Sequence, residues 1–400
     1  MPPRDFVKAR ETKTVTLVDD RPYYPGLFVT KRDEEDKSSS LVHSHSSLIS
    51  AALSIIFHES SAPNNLAENL KVKTVTGGIT NALYVISGFS PIQSYDAILI
   101  RVFGAEGMID RDVETSSFAS LAEQNIAPQY FGRFGNGRLE GWLKNFSALV
   151  LMDLQTKSNA EAIAKQMAHL HYGYKIPDYL KEWHNESEPG LWIQLYDWLT
   201  QAKAIDPKFG YKSKGDEERA ERLINLSKME KELDWLRESV ISPDSKVAFC
   251  HNDLLPANIM KHGETGEIKF IDFEYGGPNF IGFDIANHFN EHAGGPEKKS
   301  GEPDYSNYPS ESRQQLFITN YVQTSRSLAN GNSNGNITTE EEDIEHLSKE
   351  VNHFVLANHI YWGLWAVNQA AIEGTEEFDF LAYAWHRCDR YFEDKEEFGF

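Results

Sequence analysis

The chain has 400 residues, of which 40% are hydrophobic and 25% charged, and its formal net charge is −21. This length can bury a full core and suggests two or three structural units. The negative charge argues against a nucleic-acid or anionic-membrane surface, because both need a basic footprint. It would attract a cationic small molecule weakly, although its simpler role is to keep the protein soluble.

The sequence pattern predicts neither a transmembrane helix nor a secretory signal. No run of about 18 uncharged apolar residues occurs, so no stable membrane insertion is predicted. No apolar segment follows the start, which argues against a secretory signal. The two cysteines, Cys250 and Cys388, cannot form a disulfide framework and fit a reducing compartment, so a cytoplasmic location is expected.

The first part of the chain predicts a small sheet. Residues 1–45 are expected to form a flexible N-terminal arm, followed by a helix through "SSLISAALSIIFHE". The run "KVKTVTGGITNALYVISG" predicts a strand, a glycine turn and a second strand, and "DAILIRVFG" a third. A helix over "DRDVETSSFASLAEQNI" follows, and then a hairpin with its turn at Asn136 and Gly137.

The rest of the chain is mainly helical by its periodicity. Amphipathic helices are predicted over "NAEAIAKQMAHLHYGY" and "ERAERLINLSKMEKELDWLRESV". A surface loop, "SLANGNSNGNITTEEED", should end at a helix N-cap at Thr338 or Thr339, before two long helices. The strand-like pair "KVAFC" and "IKFID" stands out in this half and is therefore the expected location of chemistry.

We expect these two strands to be neighbours in one sheet, and three oxygen-bearing side chains follow them. Asp253 comes just after "KVAFC", where its carboxylate could accept a proton from a substrate hydroxyl. Asn258 on the same loop and Asp272 at the end of "IKFID" supply the hard oxygen donors that Mg²⁺ prefers. If the second strand continues, Glu274 points to the same side as Asp272 and could serve a second metal ion.

The first half supplies candidates for nucleotide binding. Arg101 interrupts an apolar strand, where a charge is costly unless it is paired, and Glu114 in the next helix is its expected partner. Gly77 and Gly78 lie in the turn where a phosphate-covering loop would be expected. Each feature alone also suits an ordinary turn or sheet edge. Their order along the chain favours a kinase.

The histidines do not indicate a metal site. They are scattered without the spacing of zinc ligands. His251 precedes the proposed base, and we interpret its ring as a hydrogen-bonding support for the catalytic loop rather than as a base or a ligand.

Several strings resemble the choline/ethanolamine kinase family. They are "CHNDLLPANI", "IDFEYGGPNFIGFDIANHFNEHAG", "NHIYWGLWAVNQ", "GGITNALY", "LIRVFG" and "GRLE", and the matches span roughly four fifths of the chain. The resemblance implies an α+β, bilobed, protein-kinase-like fold with a small antiparallel β-sheet N-lobe at residues 46–141 and a mainly helical C-lobe at residues 142–400. It also implies MgATP as co-substrate, with ATP and Mg²⁺ as cofactors.

The same resemblance implies a role for each matching residue. Asp253 would be the base, with Asn258 and Asp272 as Mg²⁺ ligands. The nucleotide side would comprise Gly77, Gly78, Thr80, Asn81, Arg101 and Glu114, with a hinge at Leu139 and Glu140. The amine pocket would comprise Glu291, Trp362, Trp365, Phe378 and Tyr383. Trp362 and Trp365 share a helix face by their spacing, a pattern that without the resemblance would suggest core packing.

Within the family, "HNDLL", "NHFNEHAG" and "EFDFLAYA" resemble the ethanolamine branch. The expected function is therefore phosphorylation of ethanolamine to phosphoethanolamine, the first step of phosphatidylethanolamine synthesis by the Kennedy pathway. Choline kinase or a dual enzyme is the alternative. A small-molecule kinase of the same fold and an inactive kinase-like scaffold are further alternatives. The family resemblance is compatible with a homodimer.

The sequence departs from the family pattern at three places. Pro256 and Ala257 lie inside the catalytic loop, where the ethanolamine branch usually carries other residues. The segment "GGPEKKSGEPDYSNYP" is longer than expected and could alter substrate access. The segment "KNFSALVLMDLQT" is unusual, and we assign its residues no role.

Overall fold

The computed structural model describes residues 21–31, 42–58, 60–75, 81–90, 92–104, 110–205, 211–213, 215–329 and 339–400. The predicted glycine turn, with Gly77, Gly78 and Thr80, lies outside these ranges, as does most of the segment predicted to be an arm.

The N-terminal part is built on a six-stranded sheet. Its strands are β1 (Tyr23–Tyr24), β2 (Lys71–Val75), β3 (Asn81–Ser87), β4 (Ala97–Phe103), β5 (Tyr130–Phe134) and β6 (Gly137–Gly141). They lie in the order β1-β5-β6-β4-β3-β2. All neighbours are antiparallel except β1 and β5, which pair in parallel. The three predicted strands and the predicted hairpin are thus confirmed.

The two faces of this sheet have different roles because side chains alternate along a strand. On β4, Ile98 and Ile100 enter a hydrophobic core that also contains helix α1 (His45–Ile56). Arg101 projects from the other face, on the side of helix α3 (Arg111–Glu123). A short helix, α2 (Leu66–Asn69), precedes β2.

Part of the expected N-terminal arm belongs to the sheet, which corrects the prediction for residues 21–31. β1 extends the sheet beside β5, and Val29 is buried. The Asn136 side chain accepts a hydrogen bond from the Val29 N–H and donates one to the Val29 carbonyl, both at 2.9 Å. The hairpin turn is also one residue earlier than predicted, since Phe134 pairs with Gly137 and leaves Gly135 and Asn136 in the loop.

Two smaller sheets follow in the C-terminal part. β7 (Phe146–Ala148), β9 (Ile259–His262) and β10 (Ile268–Phe270) form one, and β8 (Val247–Cys250) and β11 (Gly277–Phe280) form the other. The strands before Asp253 and Asp272, β8 and β10, therefore lie in different sheets. We expected these strands to be neighbours in one sheet, and that expectation is wrong.

The remaining chain is mainly helical. Its helices are α4 (Lys157–Ala168), α5 (Gly190–Ala204), α6 (Asp216–Leu223), α7 (Leu226–Trp235), α8 (Ile281–Glu291), α9 (Glu311–Ala329), α10 (Glu340–Glu373) and α11 (Phe380–Glu397). A single helix predicted over residues 218–240 is instead divided between α6 and α7, because Asn225 caps the N–H of Lys228. Thr339 begins α10 with a reciprocal capping box to Glu342, as predicted.

These helices share one large core in which α10 packs against α8 and α11. A small sheet followed by a helical lobe confirms the predicted bilobed α+β class. Within the described ranges, no helix is both long enough and apolar enough to cross a lipid bilayer.

Candidate active site

The predicted base and metal ligands come together although their strands belong to different sheets. The Asn258 amide nitrogen donates to the backbone carbonyl of Asp253 at 2.9 Å and to its carboxylate at 3.2 Å. The Ile271 N–H donates to the Asn258 carbonyl at 3.0 Å, which brings Asp272 beside Asn258. The pairing of β9 with β10 therefore joins the two loops.

Two residues of these loops adopt the left-handed backbone conformation, Asn252 with φ 65° and Asp272 with φ 64°. Asn tolerates this region, whereas Asp adopts it less readily, at a cost on the order of 1 kcal/mol. Among the described residues, Asp272 is the only non-Asn, non-Gly residue with a positive φ. A strained backbone therefore holds the predicted metal ligand.

A buried carboxylate that the sequence analysis missed supports the catalytic loop. Asp284 on α8 accepts the backbone N–H groups of His251 at 3.0 Å and Asn252 at 2.7 Å. It also contacts the His171 ring at 2.9 Å. The sequence signal was the single aspartate in "IGFDIANHF", which carries no pattern that separates support from chemistry.

The supporting role predicted for His251 is confirmed. Its Nε2 lies 2.9 Å from the Ile271 carbonyl, which ties the catalytic loop to the strand before Asp272. Burial lowers the pKa of His251 despite the nearby Asp284 carboxylate, so the ring is neutral and donates to this carbonyl.

One buried cluster has the composition of a metal site but is explained by hydrogen bonds. Ligand atoms of His171, Cys250 and Asp284 lie within 4.8 Å of one another. Both Asp284 oxygens accept backbone N–H groups, and the other nitrogen of His171 contacts the Tyr321 hydroxyl at 2.7 Å. The Cys250 thiol donates to the carbonyl of Asn279 at 3.4 Å. This cluster is a structural support.

The predicted ion pair between Arg101 and Glu114 is wrong in its partner. Arg101 contacts Glu140 at 2.8 Å and reaches across the cleft to Asp272 at 2.9 Å. Glu114 instead pairs with Arg138 at 2.6 Å, and Arg138 also contacts Glu140 at 2.8 Å. Glu140 lies between the two arginines because alternate residues of β6 share a face.

Four residues of this network are almost fully buried, namely Arg101, Glu114, Arg138 and Glu140. Solvent therefore screens the interactions between their charges only weakly. Burial alone would lower the pKa of Arg101, but the carboxylates of Asp272, Glu140 and Glu114 raise it above its ordinary value. Burial would likewise raise the pKa of Glu140, but Arg101 and Arg138 hold it below its ordinary value. Arg101, Arg138 and Glu140 are therefore ionised, and Arg101 presents a fixed cation to the cleft.

The structure places Leu139 and Glu140, which were predicted to belong to the hinge segment, on strand β6. Leu139 is fully buried in the core of the N-terminal sheet, and the Glu140 side chain belongs to the ion network. The chain passes from β6 to β7 over residues 142–145. Both residues pair with β4 and β5, so they precede the connection between β6 and β7.

Glu274 reaches the N-terminal lobe rather than extending a strand beside Asp272. β10 ends at Phe270, so the alternation used to orient Glu274 does not apply. Its carboxylate accepts a hydrogen bond from the Asn81 amide at 3.3 Å and pairs with Arg111 at 3.3 Å. Asn81, predicted on the nucleotide side, thus faces the same cleft. Arg111 was missed because a single arginine at a helix start is an unspecific signal.

Asp253 interacts with three other acidic groups. Burial raises its pKa well above the ordinary value, and the carboxylates of Glu291, Glu274 and Asp272 raise it further. The hydrogen bond from Asn258 acts in the opposite direction. Asp253 and Asp272 therefore share a cleft, which is the geometric condition for a kinase site.

The donor set is suitable for Mg²⁺. Asn258 donates two side-chain hydrogen bonds through Nδ2, and in the described part of the chain its amide oxygen has no protein partner. Asp272 is about a quarter exposed, so its carboxylate is accessible. An amide oxygen and a carboxylate are hard donors of the kind that Mg²⁺ binds with several waters.

The residues predicted for the amine pocket form one aromatic group. The rings of Trp362 and Trp365 are 5.5 Å apart, and Phe378 and Tyr383 are 5.9 Å apart. Two further members were missed. Phe380 links Trp365 to Phe378, and Tyr275 contacts the ring of Trp362 at 5.7 Å and accepts a hydrogen bond from Trp365 at 3.1 Å.

Glu291 is the carboxylate beside this aromatic group. It is 4% exposed, and burial raises its pKa to about 7. Arg387 lowers this pKa and Glu297 raises it. Besides burial, the carboxylates of Glu291 and Asp253 raise the pKa of Tyr383. Glu291 also raises the pKa of Asp253. The aromatic group therefore adjoins the proposed base.

The segment that is longer than expected packs against the same pocket. Gly301 has φ +66°, and a Cβ there would lie 2.9 Å from the Tyr383 Cβ and 3.2 Å from the Phe378 ring. The Lys299 carbonyl accepts the Asp379 N–H at 2.9 Å. This segment therefore forms one wall behind the aromatic residues.

Comparison with known proteins agrees with this geometry. Residues 72–392 match the family model described as choline/ethanolamine kinase. A probable ethanolamine kinase A from Dictyostelium discoideum is 33% identical over 341 residues, covering 84% of this chain and 88% of that protein. A solved Plasmodium vivax ethanolamine kinase has a TM-score of 0.67 at 26% identity, covering 82% of this chain and 84% of that chain. A solved choline kinase from Cryptosporidium parvum has a TM-score of 0.67 at 29% identity, covering 82% and 90%.

The buried ion network predicts a large stability effect at Arg138. Arg138→Met would leave Glu114 and Glu140 with weaker compensation in a buried site, so we expect the free energy of unfolding to fall by about 3–5 kcal/mol. Urea unfolding measures this loss. Lys349→Met, which removes an exposed pair with Glu345, should change stability little. An Arg138 variant as stable as the wild type would show that the network is replaceable by apolar packing.

Proposed function

Because the chain belongs to the choline/ethanolamine kinase family, we propose that it transfers the terminal phosphoryl group of ATP to the hydroxyl of ethanolamine. The product, phosphoethanolamine, enters phosphatidylethanolamine synthesis. One observation carries the proposal: Asp253, Asn258 and Asp272 converge beside an aromatic pocket that contains Glu291.

In this proposal Asp253 accepts the proton of the attacking hydroxyl. Asn258 fixes the Asp253 carboxylate by its hydrogen bond, so the accepting oxygen has a defined position. Arg101 supplies a cation on the nucleotide side of the cleft, where it is held by Glu140. When bound, Mg²⁺ would be held by Asn258 and Asp272, with Glu274 as a further candidate, and would neutralise charge on the phosphates.

The pocket recognises a cationic head by two kinds of interaction. Its aromatic faces attract a cation through their quadrupoles, and the Glu291 carboxylate attracts it directly. An ammonium head adds three N–H donors that carboxylate or carbonyl oxygens can accept. Ethanolamine therefore uses both features. Choline is the second candidate, because the faces of Tyr275, Trp362 and Trp365 also suit a quaternary nitrogen.

Other sequence-based assignments stay predictions. They are the nucleotide contacts of Gly77, Gly78, Thr80 and Asn81, a homodimer, and a cytoplasmic location. Glu114 enters the proposal only through Arg138 and Glu140, since these residues connect it to Arg101.

A substrate comparison tests the proposed reaction. Purified protein with Mg²⁺ and ATP should consume ATP with ethanolamine, more slowly with choline, and not appreciably without an amine. Coupled detection of ADP and phosphorus NMR of the product would distinguish transfer from ATP hydrolysis. Efficient turnover of choline but not ethanolamine would assign the enzyme to the other branch, and turnover of neither would refute the proposal.

Replacement of the proposed base tests its role. Asp253→Ala should lower kcat at least about a hundredfold, because positioned acid–base groups contribute that much, while the fold is retained. Steady-state kinetics and circular dichroism measure the two effects. Asp178→Ala removes an exposed aspartate that pairs with Lys181 and should leave kcat unchanged. A near-normal rate for Asp253→Ala would mean that the proton is accepted elsewhere.

The raised pKa of Glu291 predicts coupling between amine binding and protons. Below about pH 7 the carboxyl of the empty pocket is protonated. A bound cation favours the carboxylate, so binding near pH 6 should release close to one proton and weaken about tenfold per unit of further acidification. Near pH 8.5 the release should approach zero.

Calorimetry of ethanolamine binding in buffers of different ionisation enthalpy measures this release. Glu291→Gln is the control, because an amide cannot lose the proton. Proton release that is unchanged in Glu291→Gln would show that another group is coupled to amine binding.

A further inference from the structure

Among the described residues, Arg387 is a fully buried cation that forms no ion pair. Its side chain is 0% exposed, and in the described part of the chain its guanidinium forms no salt bridge with a carboxylate. It donates instead to the backbone carbonyl of Asn358 at 3.3 Å and to the Asn358 side-chain oxygen. Burial of a guanidinium costs several kcal/mol, and neutral acceptors offset only part of this. The position of the charge therefore requires an explanation.

Asparagines connect this cation to the amine pocket. The Asn358 oxygen that Arg387 contacts also accepts from Asn290 at 2.8 Å, and Asn358 donates to Asn287 at 2.8 Å. Asn287 accepts the indole N–H of Trp362 at 2.7 Å. Arg387 also lies 5.8 Å from the centre of the Tyr383 ring. The guanidinium is thus fixed directly behind the aromatic residues.

Glu291 follows Asn290 on α8 and faces charges from several elements. Arg387 lies on α11, and Glu297 lies on the exposed loop after α8. That loop folds back, since the Gly294 N–H donates to the Glu291 carbonyl at 3.2 Å and the Gly295 N–H to the Glu297 carboxylate at 2.8 Å. Other titratable groups that interact with Glu291 or share its helix are Asp253, Tyr305, Tyr383, Asp284 and His288, and His292 follows the helix directly.

We propose that Arg387 is a positioning residue for the amine: its buried charge lies behind the pocket and acts on the Glu291 carboxyl group, while the Glu297 charge acts on the same group from the loop in the opposite direction. This inference rests on the proposed function and adds to it the residues that control cation affinity. Arg387 does not touch the substrate. It acts through Glu291, whose carboxylate holds the cationic head.

The charges of Arg387 and Glu297 have opposite effects on the affinity for the cationic amine. A purely structural role would not produce this difference. Without Arg387, Glu291 binds its proton more tightly, so cation affinity falls at acidic and neutral pH. At higher pH Glu291 is ionised in either protein, and affinity should be equal or greater because the repulsion between Arg387 and the amine is gone. Without the Glu297 charge, Glu291 ionises more readily, and affinity at acidic pH increases.

The experiment measures kcat/KM for ethanolamine and for ATP between pH 6 and pH 8.5, a range in which an alkylammonium stays charged. Arg387→Met should lower the value for ethanolamine about tenfold at pH 6.5 and about twofold or less at pH 8.5. Glu297→Gln should raise it about twofold to threefold at pH 6.5 only. Values for ATP should stay within about twofold throughout.

Arg387→Lys keeps the charge and should restore most of the wild-type profile. Glu297→Gln changes an exposed side chain, so it decides the question alone if Arg387→Met fails to fold. The inference is overturned if Glu297→Gln coincides with the wild type, or if Arg387→Met loses the same factor at every pH without rescue by lysine. Wild-type protein that neither binds nor phosphorylates ethanolamine would overturn the proposed function as well. If the wild type phosphorylates ethanolamine but the variants have the same pH profile of kcat/KM, only this inference is overturned.

Discussion

The mutual repulsion of four carboxylates in one cleft is the constraint on which the rest of the site depends. Asp253 interacts with Asp272, Glu274 and Glu291, and burial, together with the repulsion from these carboxylates, raises the pKa of Asp253. Like charges in a desolvated space are costly unless cations compensate them. The site therefore attracts positive charge, and its three proposed cationic partners are arginine side chains, a divalent metal ion and the head of the amine.

The arginines distribute this compensation between the lobes. Arg101 and Arg111 belong to the N-terminal lobe and contact Asp272 and Glu274 across the cleft. Binding of a metal nucleotide would bring further cations to the same carboxylates, so these cross-lobe contacts compete with the ligand. The N-terminal lobe thus both compensates the empty site and supplies the cation expected on the nucleotide side.

The rigidity of the base has a separate origin. Asp253 lies on a loop whose backbone is held by Asp284 on one side and by the ring of His251 on the other. Within this frame, Asn252 and Asp272 adopt the left-handed backbone conformation, which is strained for Asp272. Strain of this kind persists only where surrounding hydrogen bonds determine the conformation, and here they do so next to the reacting groups.

The sequence by itself determined the local elements and the kind of chemistry. Alternation and helical periodicity depend on neighbours within a few residues, so β2, β3, β4 and the cap at Thr339 were predictable. The order of Asp253, Asn258 and Asp272 indicated phosphoryl transfer. This order was readable because each residue lies in or next to a loop that follows a strand, and such a loop is also a local feature. Family resemblance then indicated Glu291 and the aromatic pocket.

Only the tertiary structure determined which charged side chains form ion pairs with each other. Arg101 pairs with Glu140 rather than with Glu114, and Glu274 pairs with Arg111, since ion pairs form between residues that are far apart in sequence and that the fold brings together. Asp284 and Arg387 were not recognisable for the same reason, as neither lies in a local pattern. Partner choice depends on packing and burial, which one-dimensional spacing does not encode.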